Sequence, residues 1–166
     1  VAELATIPGF AERVRYFSIG NEVDVHLQSF PGAVAPWTSF TTFCEQVVPQ
    51  VKALLPRAKV GVNWTFHGIG TFPQAWKGMV GACDALFVNY YAVDPPEVNP
   101  AAPYQVRGVE AYKQDSAEIL ALPSGGIDKP IVLQEVGMPT DTVLGGSPSA
   151  QAELEKHLFE LWDAAG

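Results

Sequence analysis

The sequence has few residues of the kinds that signal metal or redox chemistry. Its two cysteines, Cys44 and Cys83, are 39 positions apart, a separation that matches no zinc or redox motif. Both lie among helix-forming residues, which favours two buried free thiols over a disulfide. No cluster of His, Cys and Asp has the spacing of metal ligands, and no Gly-x-Ser-x-Gly elbow is present. We therefore expect neither a metal nor a cofactor.

Positive charge is also scarce. The 10 Lys and Arg residues are outnumbered by 18 Asp and Glu residues, which gives a formal net charge of −8, and no basic run occurs. Nucleic acids and anionic membranes are therefore excluded as partners, because binding to phosphate groups needs clustered cations. A neutral polysaccharide is not repelled by such a surface. No apolar run reaches the length of about 20 residues that spans a bilayer, and the chain, which begins with Val1, shows no signal-peptide pattern.

What the sequence does contain is an alternation of apolar β-rich runs and amphipathic stretches. The runs are continuous, as expected for parallel strands that are covered on both faces. The four predicted strands are Arg15–Gly20, Lys59–Trp64, Ala85–Tyr91 and Pro130–Glu135. The predicted helices are 37–56, Pro73–Ala82 led by Thr71, Tyr104–Leu122, and one that starts at Ser147 and Pro148, a cap residue followed by proline at the first helical position.

The first helix carries the most detailed pattern. The i, i+3, i+4 rhythm of a single buried face is followed by Phe40, Phe43, Cys44, Val47, Val48, Val51, Leu54 and Leu55. Thr42 and Glu45 have the spacing of a capping box. Pro49 predicts a kink or a second helix start.

Alternating strands and helices predict an α/β fold, built either as an open doubly wound sheet or as a closed (β/α)8 TIM barrel. A closed barrel typically needs about 250 residues, so residues 1–166 are predicted to form one partial catalytic barrel domain, about strands four to seven with their helices. Residues Val1 to Ala11 would be the tail of a preceding helix and loop. Alone, such a chain would expose the edges of Arg15–Gly20 and Pro130–Glu135, and we expect it to fold poorly or be inactive without the rest of a barrel.

Two glutamates stand where predicted strands end, Glu22 in "SIGNEV" and Glu135 in "VLQEVG". Catalytic residues of βα barrels lie at the C-terminal ends of strands. Cleavage of a glycosidic bond needs a proton on the leaving oxygen and a second carboxylate for the developing positive charge. In a retaining enzyme the two carboxyl groups stand about 5–5.5 Å apart, against about 6.5–9.5 Å in an inverting one.

Three motifs carry a family resemblance. "SIGNE" (Ser18 to Glu22) resembles the Asn-Glu motif that ends strand four in clan A of the retaining glycoside hydrolases. "VNYYAV" (Val88 to Val93) and "LQEVGMP" (Leu133 to Pro139) resemble strand six and the nucleophile strand seven of the same clan, close to β-1,3-glucanases and endo-galactanases. They occur in the order of the clan and span Arg15 to Pro139, about three quarters of the chain.

The resemblance implies Glu22 as the acid/base and Glu135 as the nucleophile. It further implies that Asn21 holds the sugar 2-hydroxyl and that Tyr91, with Tyr90 as second choice, orients Glu135. Asn89 stands where several members of the clan have histidine and others asparagine, and it joins the predicted substrate-binding residues.

One departure from the family pattern concerns Met138, which occupies a position where β-1,3-glucanases usually have tryptophan. That departure argues against this particular substrate and leaves the clan assignment intact.

Further candidates have structural alternatives. Trp64 and Trp37 either stack on sugar rings, with the indole N–H turned to a hydroxyl, or pack in the core. His67 either contacts sugar or is a loop residue without a role, and His26 is close enough in sequence to Glu22 to touch substrate. Asp24 is interpreted as a structural partner of a nearby amide or cation rather than as a site residue. The four-proline loop, residues 94–103, is predicted to form a rigid wall of the cleft.

The sequence thus predicts a retaining β-glycosidase that cleaves a plant or microbial β-glucan, mannan or galactan, secreted or periplasmic, with the carbohydrate as its partner. The first alternative is a barrel protein that binds carbohydrate without turnover. The second is an unrelated βα-barrel enzyme such as a lyase, although Lys52, Lys59 and Lys129 all lie away from the predicted active face. The sugar, the linkage, endo or exo action and the oligomeric state stay open.

Overall fold

The computed structural model describes residues 1–28, 34–94, 105–122 and 128–165. The chain divides into two compact units. The first comprises Val1–Asn89 and Asp128–Gln134, and the second comprises Tyr90–Ile127 and Glu135–Gly166. Within the described ranges, no helix is both long and apolar enough to span a bilayer.

Strands and helices alternate along the chain, so the fold is mixed α/β with parallel strands. The described strands are β1 Tyr16–Ser18, β2 Lys59–Gly61, β3 Asn63–Thr65, β4 Leu86–Tyr91, β5 Val93–Asp94, β6 Gln105–Val106 and β7 Ile131–Gly137. The described α-helices are α1 Ala2–Ala5, α2 Phe10–Arg13, α3 Val23–Leu27, α4 Val34–Leu54, α5 Phe66–Thr71, α6 Pro73–Gly81, α7 Val109–Ala121 and α8 Pro148–Ala165. A short 3-10 helix covers Thr142–Leu144.

The first unit is built on parallel strand pairs. β1 pairs with β2, and β3 pairs with β4, both in parallel. β4 lies between β3 and β7 in its sheet, and the amide of Leu86 donates to the carbonyl of Pro130 just before β7 begins. The pairs β1–β2 and β3–β4 are each consecutive in the chain, joined by helices and parallel, as βα units require.

The prediction of one strand over Lys59–Trp64 is wrong in one respect, since the structure has two short strands, β2 and β3. The interruption at Val62 is the point where the pairing partner changes. Before Val62 the chain pairs with β1, and after it the chain pairs with β4. Every residue from Val60 to Trp64 is nonetheless buried, which is what the continuous apolar run predicts.

Helix α4 is a single helix of 21 residues and begins earlier than predicted. The predicted second start at Pro49 is wrong, because the helix continues through this residue to its end at Leu54. The capping box is wrong as well, because Thr42 and Glu45 lie in the interior of the helix.

The buried face of α4 is narrower than the predicted stripe. Cys44, Val48 and Val51 are buried, whereas Phe43 is 45% exposed and Leu54 38% exposed. The helix packs on α6 and β2.

The start and the buried face predicted for helix α6 are confirmed. It begins at Pro73 as predicted, although its N-cap is Phe72 rather than Thr71, and it buries Trp76, Met79 and Val80. The carbonyls at the C-terminal end of α6 have no hydrogen-bond partner within the helix. The ammonium group of Lys129 donates to three carbonyls at and just beyond this end, those of Val80, Gly81 and Cys83. Lys129 therefore ties the start of β7 to the end of α6.

Both cysteines are free and buried, as predicted. Burial raises the pKa of the Cys44 thiol to about 12 and that of the Cys83 thiol to about 11. The thiolate is the nucleophilic form of cysteine, so both side chains act as small apolar core residues.

In the second unit, β5 and β6 form an antiparallel pair, and α7 packs against α8. The third predicted helix starts at Val109 rather than near residue 104, because Gln105 and Val106 belong to β6. The cap at the start of α8 is confirmed, since the amide of Ala150 donates to the Ser147 hydroxyl. Helix α8 buries Leu154 and Leu158 as predicted, while Leu161 and Trp162 are only half-buried.

The close packing of β2 leads to a prediction about Gly61. A Cβ atom at this position would overlap the carbonyl oxygen of Ala85 and lie 2.7 Å from the ring of Phe87. We expect Gly61→Ala to lower the free energy of unfolding by about 1–3 kcal/mol, the usual cost of overpacking, in urea unfolding experiments. The matched control is Gly70→Ala, because nothing lies within 4 Å of a Cβ there. If Gly61→Ala and Gly70→Ala have the same free energy of unfolding, the close packing around Gly61 is contradicted.

Candidate active site

The loop after β1 has an unusual backbone conformation. Gly20 has φ 81°, and Glu22 has φ 45° and ψ 51°, the left-handed region. Glu22 is the only non-glycine residue with positive φ in the part of the chain that the structure describes. Such a conformation costs an L-residue on the order of 1–3 kcal/mol and persists only when its surroundings enforce it. The surroundings of Glu22 therefore need to hold its main chain.

Two buried asparagines hold Glu22. The Glu22 amide donates to Asn63 Oδ1 at 2.8 Å, and Asn63 Nδ2 donates to Asn89 Oδ1 at 2.7 Å. Asn89 Nδ2 in turn donates to Glu22 Oε1 at 3.0 Å. Asn63 is 0% and Asn89 1% exposed. The three residues therefore form a closed ring of hydrogen bonds that starts at the main chain of Glu22 and ends at its carboxylate, which we call the amide ring.

Asn21 is oriented by the same neighbourhood. Its Oδ1 accepts hydrogen bonds from Gln134 Nε2 at 3.1 Å and from Asn89 Nδ2 at 3.4 Å. Asn21 is exposed. With its carbonyl oxygen engaged by two amide groups, the side chain has its NH2 group to offer as a donor to a ligand.

Asp24 is a buried structural residue beside the loop, bound to Thr65 and not exposed to a ligand, as the sequence predicted. It is 2% exposed, and its carboxylate accepts hydrogen bonds from the amide of Thr65 at 2.9 Å and from the hydroxyl of Thr65 at 2.5 Å. A Cβ at Gly68 would overlap this carboxylate, so only glycine fits there. Burial raises the pKa of the Asp24 carboxyl, against the opposing effect of the Thr65 hydrogen bonds.

In the second unit, Tyr91 and Glu135 form a pair. The Tyr91 hydroxyl donates to Glu135 Oε2 at 2.7 Å, which is the hydrogen bond expected from the resemblance. Glu135 lies inside β7, which extends two residues beyond the predicted strand end. A Cβ at Gly137 would lie 3.1–3.2 Å from the Tyr91 ring. The glycine of the "EVG" sequence thus leaves room for the tyrosine that binds the glutamate.

Tyr90, the second choice for orienting Glu135, has a different partner. It is 1% exposed, and its hydroxyl donates to Asp115 Oδ2 at 2.9 Å. Burial, and then the neighbouring Asp115, raise the pKa of the Tyr90 hydroxyl. Arg107 Nε lies 3.3 Å from the same carboxylate oxygen and 3.8 Å from Asp94 Oδ1. Tyr90 therefore anchors the end of β4 in the core.

The two tryptophans lie in the core of the first unit. Trp64 is 0% and Trp37 8% exposed, and their rings stack at a centroid distance of 5.3 Å and an angle of 15°. Trp37 also contacts Phe72 at 5.1 Å. Sugar stacking needs an open ring face, so in this structure core packing, the alternative given for both residues, accounts for them.

The predicted histidines are both exposed. His67 lies in α5, where its Nε2 is 3.4 Å from the Thr71 hydroxyl, and His26 lies in α3. Of the predicted loop 94–103, residues 95–103 lie outside the described residues.

Sequence reasoning missed Asn63 and Gln134. The signal for Asn63 was a polar residue inside the apolar run "VGVNW", since a buried amide needs hydrogen-bond partners. Gln134 directly precedes Glu135, and its contact with Asn21 spans 113 positions of sequence, so it had no local signal. Among the described residues, no group of three or more His, Cys, Asp or Glu side chains has an arrangement that could hold a metal ion.

No protein family and no curated protein sequence matches the chain. In structure the chain is similar to an endo-laminarinase from Formosa Hel1_33_131, with a TM-score of 0.63 and 18% sequence identity. The match covers 98% of this chain and 49% of the laminarinase, so this chain spans about half the length of that protein. At this level of identity the likeness is one of fold.

The buried Asp24 predicts a specific pH dependence of stability. Because its folded pKa is raised above the ordinary value of 3.8, its contribution is present at low pH and is lost as pH rises through the folded pKa. Asp24→Asn removes this titration and keeps an oxygen for the Thr65 amide. We therefore expect the unfolding free energy of the variant, relative to the parent, to increase from pH 4 upward in urea titrations. A difference that stays constant or falls would contradict the burial effect.

Proposed function

We propose that this chain carries the catalytic residues of a glycoside hydrolase that cleaves β-linked polysaccharides with retention of configuration. The observation that carries the proposal is that both glutamates are bound through one carboxylate oxygen by a neutral donor, an amide for Glu22 and a phenol for Glu135. Neither glutamate forms an ion pair within the described ranges. A carboxylate held in this way keeps one oxygen for chemistry, which suits an acid/base and a nucleophile.

In this proposal Glu22 is the acid/base. It protonates the bridging oxygen as the bond to the anomeric carbon breaks, and it later takes a proton from the water that enters. Asn21, whose carbonyl oxygen is engaged by Gln134 and Asn89, presents its NH2 group to a ring hydroxyl. Asn89 then acts on Glu22 rather than on substrate directly.

Glu135 is the nucleophile, which forms an ester with the anomeric carbon that water then hydrolyses. The hydrogen bond from Tyr91 to Oε2 orients the carboxylate, so that Oε1 is the attacking atom. No cofactor enters either step.

The fold supports the same proposal. Two pairs of chain-consecutive strands, β1 with β2 and β3 with β4, are parallel and have helices between them. These pairs support our proposal that the chain corresponds to about strands four to seven of a (β/α)8 barrel. The structural likeness to a protein named as an endo-laminarinase, a glycoside hydrolase, favours endo action on a polysaccharide. We also propose a secreted or periplasmic location, because polymeric substrates lie outside the cytoplasm.

Mechanism-based labelling tests the nucleophile. This test and the activity measurements below are carried out on the chain within a complete barrel, because we expect the chain alone to be inactive. A 2-deoxy-2-fluoro-β-glycoside with an activated leaving group is expected to add one sugar to the peptide that contains Glu135, detected by mass spectrometry after proteolysis. Glu135→Gln should not be labelled. Glu22→Gln should lower turnover of polysaccharide about 10²–10⁴-fold and still accept the label.

A label on another residue would reject the proposed mechanism. Polysaccharide binding without release of reducing sugar, unchanged by Glu22→Gln, would instead indicate the non-catalytic carbohydrate-binding protein.

Removal of the Tyr91 hydroxyl tests its role. A hydrogen bond to a charged group contributes about 1.5–3 kcal/mol, so Tyr91→Phe is expected to lower kcat/KM about 10- to 150-fold in a reducing-sugar assay. The matched control is Tyr16→Phe, because Tyr16 is similarly exposed (51% against 46%) and lies in β1. If Tyr91→Phe has the activity of the control, the tyrosine does not act on the nucleophile.

A further inference from the structure

Asn63 is an amide side chain in the middle of a buried strand segment. It is 0% exposed and stands between Val62 and Trp64, which are also buried. A primary amide in such a place is unfavourable unless its donors and its acceptor find partners. Both partners of Asn63 belong to the amide ring, one of them the main chain of Glu22 and the other Asn89.

The direction of each hydrogen bond in the ring follows from chemistry. A main-chain N–H can only donate, so the atom of Asn63 that faces Glu22 is its oxygen. The nitrogen of Asn63 then faces the oxygen of Asn89, and the nitrogen of Asn89 faces the carboxylate of Glu22. One arrangement of the two amides therefore satisfies all three contacts, and a rotation of either amide would break two of them.

We propose that Asn63 is a positioning residue for Glu22, an inference that rests on the function proposed above for this glutamate. Asn63 acts on Glu22 in two ways. Directly, it holds the main-chain N–H and with it the left-handed conformation of residue 22. Through Asn89, it directs Oε1 toward an amide donor, which assigns the transferable proton to Oε2. Asn63 itself does not touch substrate.

The hydrogen bonds are first measured in the unaltered protein. Trans-hydrogen-bond NMR couplings are expected between the Glu22 amide nitrogen and Asn63 Cγ, and between Asn63 Nδ2 and Asn89 Cγ. The Glu22 amide is also expected to be protected from hydrogen exchange. Couplings to other partners, or an unprotected Glu22 amide, would overturn the inference before any substitution is made.

Asn63→Ala then tests the consequence. We expect the Glu22 amide to exchange about tenfold faster, and kcat to fall about tenfold to a hundredfold with little change in KM, because a misplaced acid slows the chemical step without loosening substrate. The matched control is Val62→Ala, a truncation of the adjacent core residue, compared at a temperature equally far below each midpoint of unfolding. The control is expected to keep both the protection of the Glu22 amide and kcat.

Asn63→Asp separates the two actions of the residue. It keeps the oxygen that accepts from Glu22 and loses the donor to Asn89, so we expect the Glu22 amide to stay protected while kcat remains low. If Asn63→Ala lowers kcat no more than Val62→Ala does, Asn63 has only a structural role and the inference is overturned. If this chain hydrolyses no glycoside even within a complete barrel, the proposed function fails, whereas the couplings and exchange rates still decide whether Asn63 positions Glu22.

Discussion

The burial of two uncharged amides is the constraint on which the first unit depends. Asn63 and Asn89 lie diagonally across β3 and β4, with Asn63 opposite Phe87 and Asn89 opposite Thr65. Both are buried, so each has to satisfy its hydrogen bonds within the protein. The strand pairing brings Asn63 next to Asn89, and the loop after β1 provides the remaining partners. An apolar residue at position 63 would leave the main-chain N–H of Glu22 without its acceptor. The amides therefore determine the conformation of the loop as well as the core.

Neutral donors at both glutamates have a chemical consequence. A lysine or arginine beside a carboxylate would form an ion pair and strongly favour the charged form. An amide or a phenol directs one carboxylate oxygen and adds no positive charge, and the other oxygen has no such partner in the part of the chain that the structure describes. Asp84 has the other kind of partner, because it is paired with Lys52. Burial acts to raise the pKa of the Asp84 carboxyl, but its hydrogen bonds and the charge of Lys52 outweigh burial and lower this pKa.

Two neighbouring tyrosines in β4, Tyr90 and Tyr91, have different partners and different exposure. Tyr90 and Tyr91 have the same side chain, but successive residues of a strand point to opposite faces. Tyr90 is buried and donates to Asp115, whereas Tyr91 is 46% exposed and donates to Glu135. The first interaction holds the end of the strand in the core of the second unit. The second places a hydroxyl on a carboxylate, with Gly137 providing the space for the ring.

Sequence alone determined the features that depend on local pattern: the buried runs of the strands, the face of α6 that contains Trp76, and the cap at Ser147. It also placed glutamates near strand ends, and the family resemblance added a tyrosine beside one of them. Tertiary structure decided the rest. Asn63 meets Glu22 across 41 positions of sequence and Gln134 meets Asn21 across 113, and the stacking of Trp37 on Trp64 removed both rings from the surface. These outcomes depend on which strands pair and in which register, and a hydrogen bond between distant residues leaves no periodic signal in the chain.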